Sequence, residues 1–165
     1  MKSRSLVAAI GIALSVRGAC AKDSVYVDSL HCVGGKYGLA LPKDARKLRS
    51  LDKLVRENVD EIEQWDGYTA TRKTLHFDGL DLGVIEISND PKRLMITYAQ
   101  ITKPKWNYLV PFKLGLSVKA AQKLLGDSAK DDDELKRDYL GESDSVQFQS
   151  QSGVVVGVSY NCYSG

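Results

Sequence analysis

Histidine and cysteine, which carry much of the metal and nucleophilic chemistry of proteins, are scarce in this sequence. Its 165 residues include two histidines and three cysteines. His31 and His76 have neither HxxxH nor HxxE spacing, so we interpret both as surface residues of strands. The G-x-S-x-G turn of serine hydrolases is also absent. We therefore expect no catalytic residue, no metal ligand and no cofactor.

Two short segments resemble ligand-binding motifs only superficially. Gly34, Gly35 and Lys36 lack the spacing of a phosphate-binding loop and predict a turn. Residues 131–134 are acidic but lack the alternating ligand positions of a calcium-binding loop, so we interpret them as a solvated turn. The 21 acidic residues allow many carboxylate pairs without singling one out, which leaves an exported hydrolase as the third hypothesis for function.

Long apolar runs are missing too, which argues against a transmembrane segment. Residues 6–16 are mostly apolar, but such a run is too short to cross a bilayer as a helix. Lys2 and Arg4 precede it, and Ala19, Cys20 and Ala21 follow it with the small residues that signal peptidase reads. The sequence therefore predicts a signal peptide over residues 1–21 and a single exported domain over residues 22–165.

Cys20 raises an alternative location. A lipoprotein carries its acyl chains on an N-terminal cysteine, and that processing usually requires a Leu-like residue three positions earlier, where this chain has Arg17. We therefore expect a periplasmic or secreted protein of the bacterial type. A lipid anchor through Cys20 is the alternative.

Net charge excludes one class of partner. The whole chain has 23 Lys and Arg against 21 Asp and Glu, but Lys2, Arg4 and Arg17 lie within the predicted signal peptide. The remaining domain has a formal charge close to zero. Since binding to nucleic acid depends on phosphate neutralisation by clustered cations, we expect no nucleic-acid partner.

Cysteine usage agrees with export. Cys32 and Cys162 remain after cleavage, near the two ends of the domain, and two thiols in an oxidising compartment usually pair. The alternative is a nucleophilic Cys32 assisted by His31, but neighbours on a strand point to opposite faces. We therefore predict a Cys32–Cys162 disulfide.

The spacing of apolar residues predicts an α+β fold, with an antiparallel β-sheet and two helices packed on it. Residues 25–33 are β-rich, and apolar residues every three or four positions predict a first helix over residues 42–65. Residues 94–98 are apolar on both faces, as in a central strand. Ser117 and Gly126 are the expected cap residues of a second helix.

A C-terminal hairpin is the clearest β signal. Residues 145–149 and 154–163 flank a turn, and alternation places Val154, Val156, Val158, Tyr160 and Cys162 on one buried face. A helix followed by a hairpin then occurs twice along the chain, which suggests two helix-plus-hairpin repeats.

Residues 112–127, with Gly115-Leu116-Ser117 followed by Leu124-Leu125-Gly126, carry a family resemblance. The segment resembles the G-(M/L)-S…L-L-G-x-P signature of small bacterial envelope proteins, the BamE/SmpA-like lipoproteins and the β-lactamase-inhibitor-protein-like fold. It departs from the signature because Asp127 and Ser128 stand where the Pro is expected. The resemblance implies a helical segment packed on an antiparallel sheet and a location outside the cytoplasm.

One loop combines the residue types that dominate protein interfaces. Lys103, Lys105, Trp106 and Tyr108 lie in residues 103–112, and both aromatic residues stand between Pro104 and Pro111. We predict that Trp106 and Tyr108 are exposed and bind a protein partner in the cell envelope; Trp106 as a core residue is the alternative. The expected function is non-catalytic binding of the inhibitor or immunity type. An outer-membrane assembly factor of the BamE type is the second hypothesis.

Overall fold

The computed structural model describes residues 24–126 and 138–162, so the predicted signal peptide, Cys20 and residues 131–134 lie outside the described residues. These residues form one eight-stranded mixed sheet, and the predicted α+β class is wrong because the structure is mostly β. The strands and helices in chain order are β1 (Ser24–Tyr26), α1 (Ala45–Arg49), β2 (Leu54–Trp65), β3 (Tyr68–Phe77), β4 (Leu80–Ile87), β5 (Asp90–Ile101), a 3-10 helix (Pro104–Trp106), α2 (Val118–Leu124), β6 (Asp138–Leu140), β7 (Ser145–Gln151) and β8 (Val154–Asn161).

The sheet order is β1-β6-β7-β8-β5-β4-β3-β2. All neighbouring strands are antiparallel except β1 and β6, which run parallel. Strands β2 to β5 form a meander of consecutive hairpins, while β5 pairs with β8 from the far end of the chain. The prediction that residues 94–98 belong to a central strand is confirmed, since β5 lies between β4 and β8.

The prediction of a first helix over residues 42–65 is wrong, because the second half of this range is a strand. α1 covers only Ala45–Arg49 and begins after Asp44, whose carboxylate accepts from the N–H groups of Arg46 and Lys47. The chain then becomes β2, which pairs along its length with β3. Without a long first helix, the two predicted helix-plus-hairpin repeats lose their basis.

Two bulges explain why β2 has the apolar spacing of a helix. The pairing of β2 with β3 shifts between Leu54 and Arg56 and again between Val59 and Glu61. An extra residue at each point moves the side chains that follow it to the other face, so residues three apart can share a face. The sequence period therefore resembles the helical one although the backbone is extended.

The second helix and the C-terminal hairpin are confirmed. Ser117 caps α2 by accepting from the N–H of Ala120, and Gly126 follows the helix with a φ of +75°. β7 and β8 are joined through Ser152 and Gly153, which both have positive φ as a tight hairpin turn requires.

The predicted buried face of β8 is partly wrong. Val158 and Tyr160 are buried, but Val154 and Val156 are exposed and Val155 is buried instead. The reason is a register shift in which Ser150 pairs with Val155 while Gln149 pairs with Gly157. The face that points to the core changes at this irregularity.

The hydrophobic core covers one face of the sheet. Leu75, Leu82 and Tyr160 of the strands pack there with Leu48 of α1 and Val118 of α2. We call this face of the sheet the inner face, and the opposite one the outer face. One row of the outer face is polar, since Arg56, His76, Asp81 and Gln100 follow one another in register across β2 to β5. Ile85 and Ile87 of β4 lie on the same face and are buried.

Cys32 and Cys162 are joined as a disulfide, with a Cα–Cα distance of 5.3 Å. The first predicted strand is shorter than expected, because β1 ends at Tyr26 and the chain then turns. Within residues 24–126 and 138–162, none of the helices has the length and apolar content that crossing a membrane would require.

Candidate protein-binding edge

β2 is the last strand of the sheet, and no other described strand pairs with its open side. We call β2 with this open side the β2 edge. At 12 residues it is one of the two longest strands of the described structure. Native proteins usually keep such edges short or cover them, because unpaired backbone groups can recruit another strand.

The backbone of the β2 edge has groups that point outward. Thr69 of β3 is opposite Gln64 of β2, but Thr69 uses both backbone groups on its other side. Its N–H donates to Ser88 Oγ over 2.8 Å, and its C=O accepts from Ser88 N over 2.9 Å. Gln64 and, by alternation, Ile62 therefore turn their N–H and C=O groups toward the open side.

The middle of the inner face of the β2 edge is apolar, between Glu57 and Gln64. Val59 is opposite Lys73 and Ile62 is opposite Thr71, on the same side of the sheet as the core residue Leu75. Yet Val59 is 56% exposed and Ile62 is 58% exposed, so neither belongs to the core. Because they are so exposed, these side chains contribute little to the stability of the fold through burial. Stability alone therefore does not explain why apolar residues occupy these positions.

The outer face of the β2 edge is acidic. Asp60 accepts a hydrogen bond from Thr74 Oγ1 on this face, and Glu61 and Glu63 follow at alternate positions. Arg72 is the cation beside them, with its Nε 3.5 Å from Glu61 and its Nη2 3.9 Å from Glu63. One arginine against three carboxylates leaves this surface with an excess of negative charge.

An exposed aromatic ring lies at the hairpin that ends β2, against a half-buried one. Trp65 is 56% exposed and stacks on Tyr68, with ring centroids 6.2 Å apart and planes inclined by 8°. The indole N–H of Trp65 donates to Glu63 over 3.2 Å. Exposed Trp and Tyr side chains are typical of protein interfaces.

A cluster of four alternating charges lies beside the apolar part of the edge. Arg49 of α1 contacts Glu57 at 2.8 Å and Glu86 at 2.6 Å, and Lys73 contacts the same two carboxylates at 3.1 and 2.7 Å. Hydrogen bonds, first from Arg49 and then from Lys73, lower the pKa of Glu57 to about 2. Burial alone would raise the pKa of Glu86, but its bonds to Arg49 and Lys73 outweigh burial and lower it. These acids are therefore already neutralised, unlike those of the outer face.

In the loop of residues 103–112, which the sequence predicts to bind a partner, Trp106 is buried rather than exposed. Trp106 is 1% exposed, and its indole N–H donates to the carbonyl of Asp78 over 2.9 Å. It packs edge-on against Phe77, with ring centroids 5.7 Å apart. The prediction that Trp106 lies on an exposed surface is wrong because the ring fills the core beside β3.

The other residues of this loop lie at the surface. Tyr108 is 61% exposed. Lys103 pairs with Asp78, and Lys105 contacts Asp52 at 2.8 Å and Asp78 at 3.3 Å. Partner binding by Lys103, Lys105 and Tyr108 stays a prediction, but the two lysines already have acidic neighbours within the protein.

His76 lies in a hydrogen-bond network on the outer face. Its Nδ1 is 2.8 Å from Asp81, while its Nε2 is 3.3 Å from the donor groups of both Arg56 and Asn58. Nδ1 can donate to Asp81, which leaves Nε2 as the acceptor that Arg56 and Asn58 share. Both ring nitrogens are then used within the protein, which is the arrangement of a structural histidine. His31 is exposed.

A cleft of about 390 Å³ lies beside the disulfide. Its lining mixes apolar side chains such as Leu94 and Ile96 with Lys43 and Asp144. In the described parts of the chain, no group of three or more His, Cys, Asp or Glu side chains is arranged to hold a metal ion.

No family model, curated protein or solved structure matches this chain. The resemblance to small envelope proteins rests on residues 112–127 alone, a segment that contains one turn and α2. Gly115 does have a φ of +94°, and Ser117 caps α2, so the segment has the turn and helix that the motif implies.

Sequence reasoning missed the β2 edge, although one signal for it was present. Asp66-Gly67 between two runs containing β-branched residues is typical of a hairpin turn, and Gly67 has a φ of +83°. The same dipeptide also suits the end of a helix. The helical spacing of Val55, Val59 and Ile62 favoured the wrong alternative.

Proposed function

We propose that the protein is an exported, non-catalytic binding protein that acts on another protein in the bacterial envelope, as an inhibitor or immunity protein does. The observation that carries this proposal is the exposure of Val59 and Ile62 on the open side of β2. Apolar side chains on an edge strand are costly for a soluble protein because they promote aggregation, so their presence favours a binding role.

Two further features support the location. The N-terminal residues have the order of a signal peptide, with Lys2 and Arg4 before an apolar run and small residues after it. The Cys32–Cys162 pair fits an oxidising compartment. An intact mass that begins at Lys22 would support cleavage and export, whereas an acylated Cys20 would support the lipid-anchored alternative.

Site-specific photo-cross-linking in the source cells tests the function. A photoreactive residue at position 62 should form an adduct with one exported protein, and the same residue at Lys119, exposed on α2, should not. A partner enzyme whose activity falls when the purified protein is added supports inhibition. Outer-membrane assembly proteins as partners would instead support the BamE-type hypothesis.

Matched variants connect the partner to the β2 edge. Val59→Thr with Ile62→Thr removes apolar surface while keeping the β-branched shape that strands prefer. Val154→Thr with Val156→Thr does the same at half-exposed positions of β8, 37% and 39% exposed. The first pair should abolish binding of the purified partner and the second should not. Equal binding by both pairs, or turnover of a hydrolase substrate by the wild type, would refute the proposal.

A further inference from the structure

We infer, on the basis of the proposed function, that the β2 edge binds an extended segment of its partner as an added strand. We further infer that this segment alternates apolar residues with Lys or Arg. Strand addition uses the unpaired backbone groups of an edge, and the side chains flanking the edge determine which segment fits. Ile62 and Gln64 supply such outward backbone groups.

The two faces of the β2 edge have different chemistry, and this difference defines the partner. Side chains of an added strand alternate between the two faces of the extended sheet. Those on the inner face would lie next to Val59 and Ile62, and those on the outer face next to Glu61 and Glu63. Apolar residues suit the first set of positions and cations suit the second.

The bulge at Asp60 maintains this division. Val59 and Ile62 are three positions apart, so without the extra residue they would point to opposite faces. Asp60 itself is held on the outer face by the hydroxyl of Thr74, at 2.7 Å. The apolar and acidic side chains are therefore separated by the backbone geometry of β2.

A second copy of this chain fits the edge poorly. On the outer face of β2 there are three acids, Asp60, Glu61 and Glu63, against the single base Arg56. Antiparallel pairing of two β2 edges would continue the sheet with the outer faces on the same side, so carboxylates of one copy would face those of the other. Like charges opposite each other on neighbouring strands are destabilising. A segment with Lys or Arg would instead be attracted to these carboxylates.

Synthetic peptides test the inference even before the partner is identified. The probe is a capped decapeptide in which Val and Lys alternate, and the controls are a Val–Glu alternating peptide and a block peptide of five valines and five lysines. Binding measured by calorimetry should be detectable for the probe and at least about tenfold weaker for both controls, since charge complementarity and alternation are both required. Equal binding of the block peptide would overturn the inference.

Backbone methylation distinguishes strand addition from ordinary charge attraction. In a strand, the N–H groups of all valines point to one side and those of all lysines to the other. One peptide is N-methylated at every Val and a second at every Lys, and only one of the two should lose binding. In the unmodified complex, the amides of Ile62 and Gln64 should become protected from hydrogen exchange. Undiminished binding by both methylated peptides would refute strand addition.

Charge variants test the acidic face. Glu61→Gln with Glu63→Gln should weaken binding of the Val–Lys peptide by roughly tenfold at low salt, because two carboxylates beside the added strand are removed. Asp28→Asn with Glu142→Gln, at exposed positions elsewhere, is the matched control and should change affinity by less than about twofold. Equal losses from both pairs would show that only overall charge matters and would overturn the inference.

The outcomes separate this inference from the proposed function. If the cross-linked partner binds through Val59 and Ile62 but the Val–Lys peptide neither competes with it nor protects the β2 amides, the inference fails and the function stands. If no partner is cross-linked while the peptide protects those amides, the function fails and the inference stands. Sedimentation showing a dimer that Val59→Thr with Ile62→Thr dissociates would identify a second copy as the occupant and overturn the inference.

Discussion

Thr74 donates a hydrogen bond from its hydroxyl to Asp60 over 2.7 Å, across the point at which β2 bulges. Thr74 is 6% exposed, and the hydroxyl of Tyr98 lies 3.0 Å from the same oxygen. One nearly buried hydroxyl thus links β2, β3 and β5 on the outer face of the sheet. The bulge of β2 is therefore held to β3 and β5 by the two hydrogen bonds of this hydroxyl.

Replacement of this hydroxyl should destabilise the protein. We expect Thr74→Val to lower the free energy of unfolding by about 1–2 kcal/mol, since the carboxylate of Asp60 and the hydroxyl of Tyr98 lose a partner. Thr74→Ser keeps the hydroxyl and should lose less. Urea unfolding of both variants measures the difference. Equal stability of the two variants would show that the hydroxyl does not hold the bulge.

The two aromatic residues of the 103–112 loop should respond differently to truncation. Trp106→Ala should cost about 3–5 kcal/mol, because the ring is buried and its N–H is hydrogen-bonded. Tyr108→Ala, at an exposed position, should cost less than about 1 kcal/mol. Thermal and urea unfolding measure both. A Trp106→Ala protein as stable as the wild type would contradict the buried position of the ring.

The stability of the protein should fall in acid partly through Glu57. Its pKa is about 2 in the folded protein, held low first by the hydrogen bond from Arg49, against about 4.3 in an unfolded chain. A carboxylate with a lowered folded pKa stabilises fully above its unfolded pKa and loses that stabilisation as the pH falls toward the folded one. The stabilisation by Glu57 should therefore be lost between about pH 5 and pH 2.

Glu57→Gln tests this pH dependence. The variant should be less stable than the wild type at pH 7, and its stability should fall less steeply between pH 5 and pH 2. Glu142→Gln, at an exposed position near β7, is the control and should keep the wild-type slope. Urea unfolding at several pH values supplies the slopes. Parallel curves for Glu57→Gln and the wild type would contradict the role of Arg49.

Loss of the disulfide should be among the most costly changes. The bond joins residues 130 positions apart, and closing a loop of that length stabilises a protein by about 4–5 kcal/mol in the chain-entropy model. Cys32→Ser with Cys162→Ser should lower the stability by this order. Reductant should destabilise the wild type similarly and leave the double variant unchanged. A reductant effect on the double variant would point to another cause.

Features that depend on local chemistry could be predicted from the sequence. Ser117 and Gly126 indicate the ends of α2 because a side-chain cap and a positive φ are requirements of the helix itself. The β7–β8 hairpin likewise follows from its turn residues. The Cys32–Cys162 pair follows from the count of cysteines and the expected compartment.

Features that depend on distant partners could not be predicted. β2 is a strand because β3 supplies a continuous ladder beside it, and its bulges give Val59 and Ile62 a helix-like spacing. Trp106 is buried because Phe77 and the carbonyl of Asp78 surround it, which the flanking lysines do not reveal. A pattern of apolar residues does not say whether they face a core or an open edge.

The disulfide also constrains the order of events during synthesis. β2 to β5 pair with neighbours in the sequence and can form early, whereas Tyr98 of β5 must wait for Asn161 of β8. Cys32 likewise cannot pair with Cys162 until residue 162 has been made. This disulfide therefore forms only after the whole described sheet has been synthesised. A reactive thiol during the interval makes the unfinished chain vulnerable to pairing with other proteins.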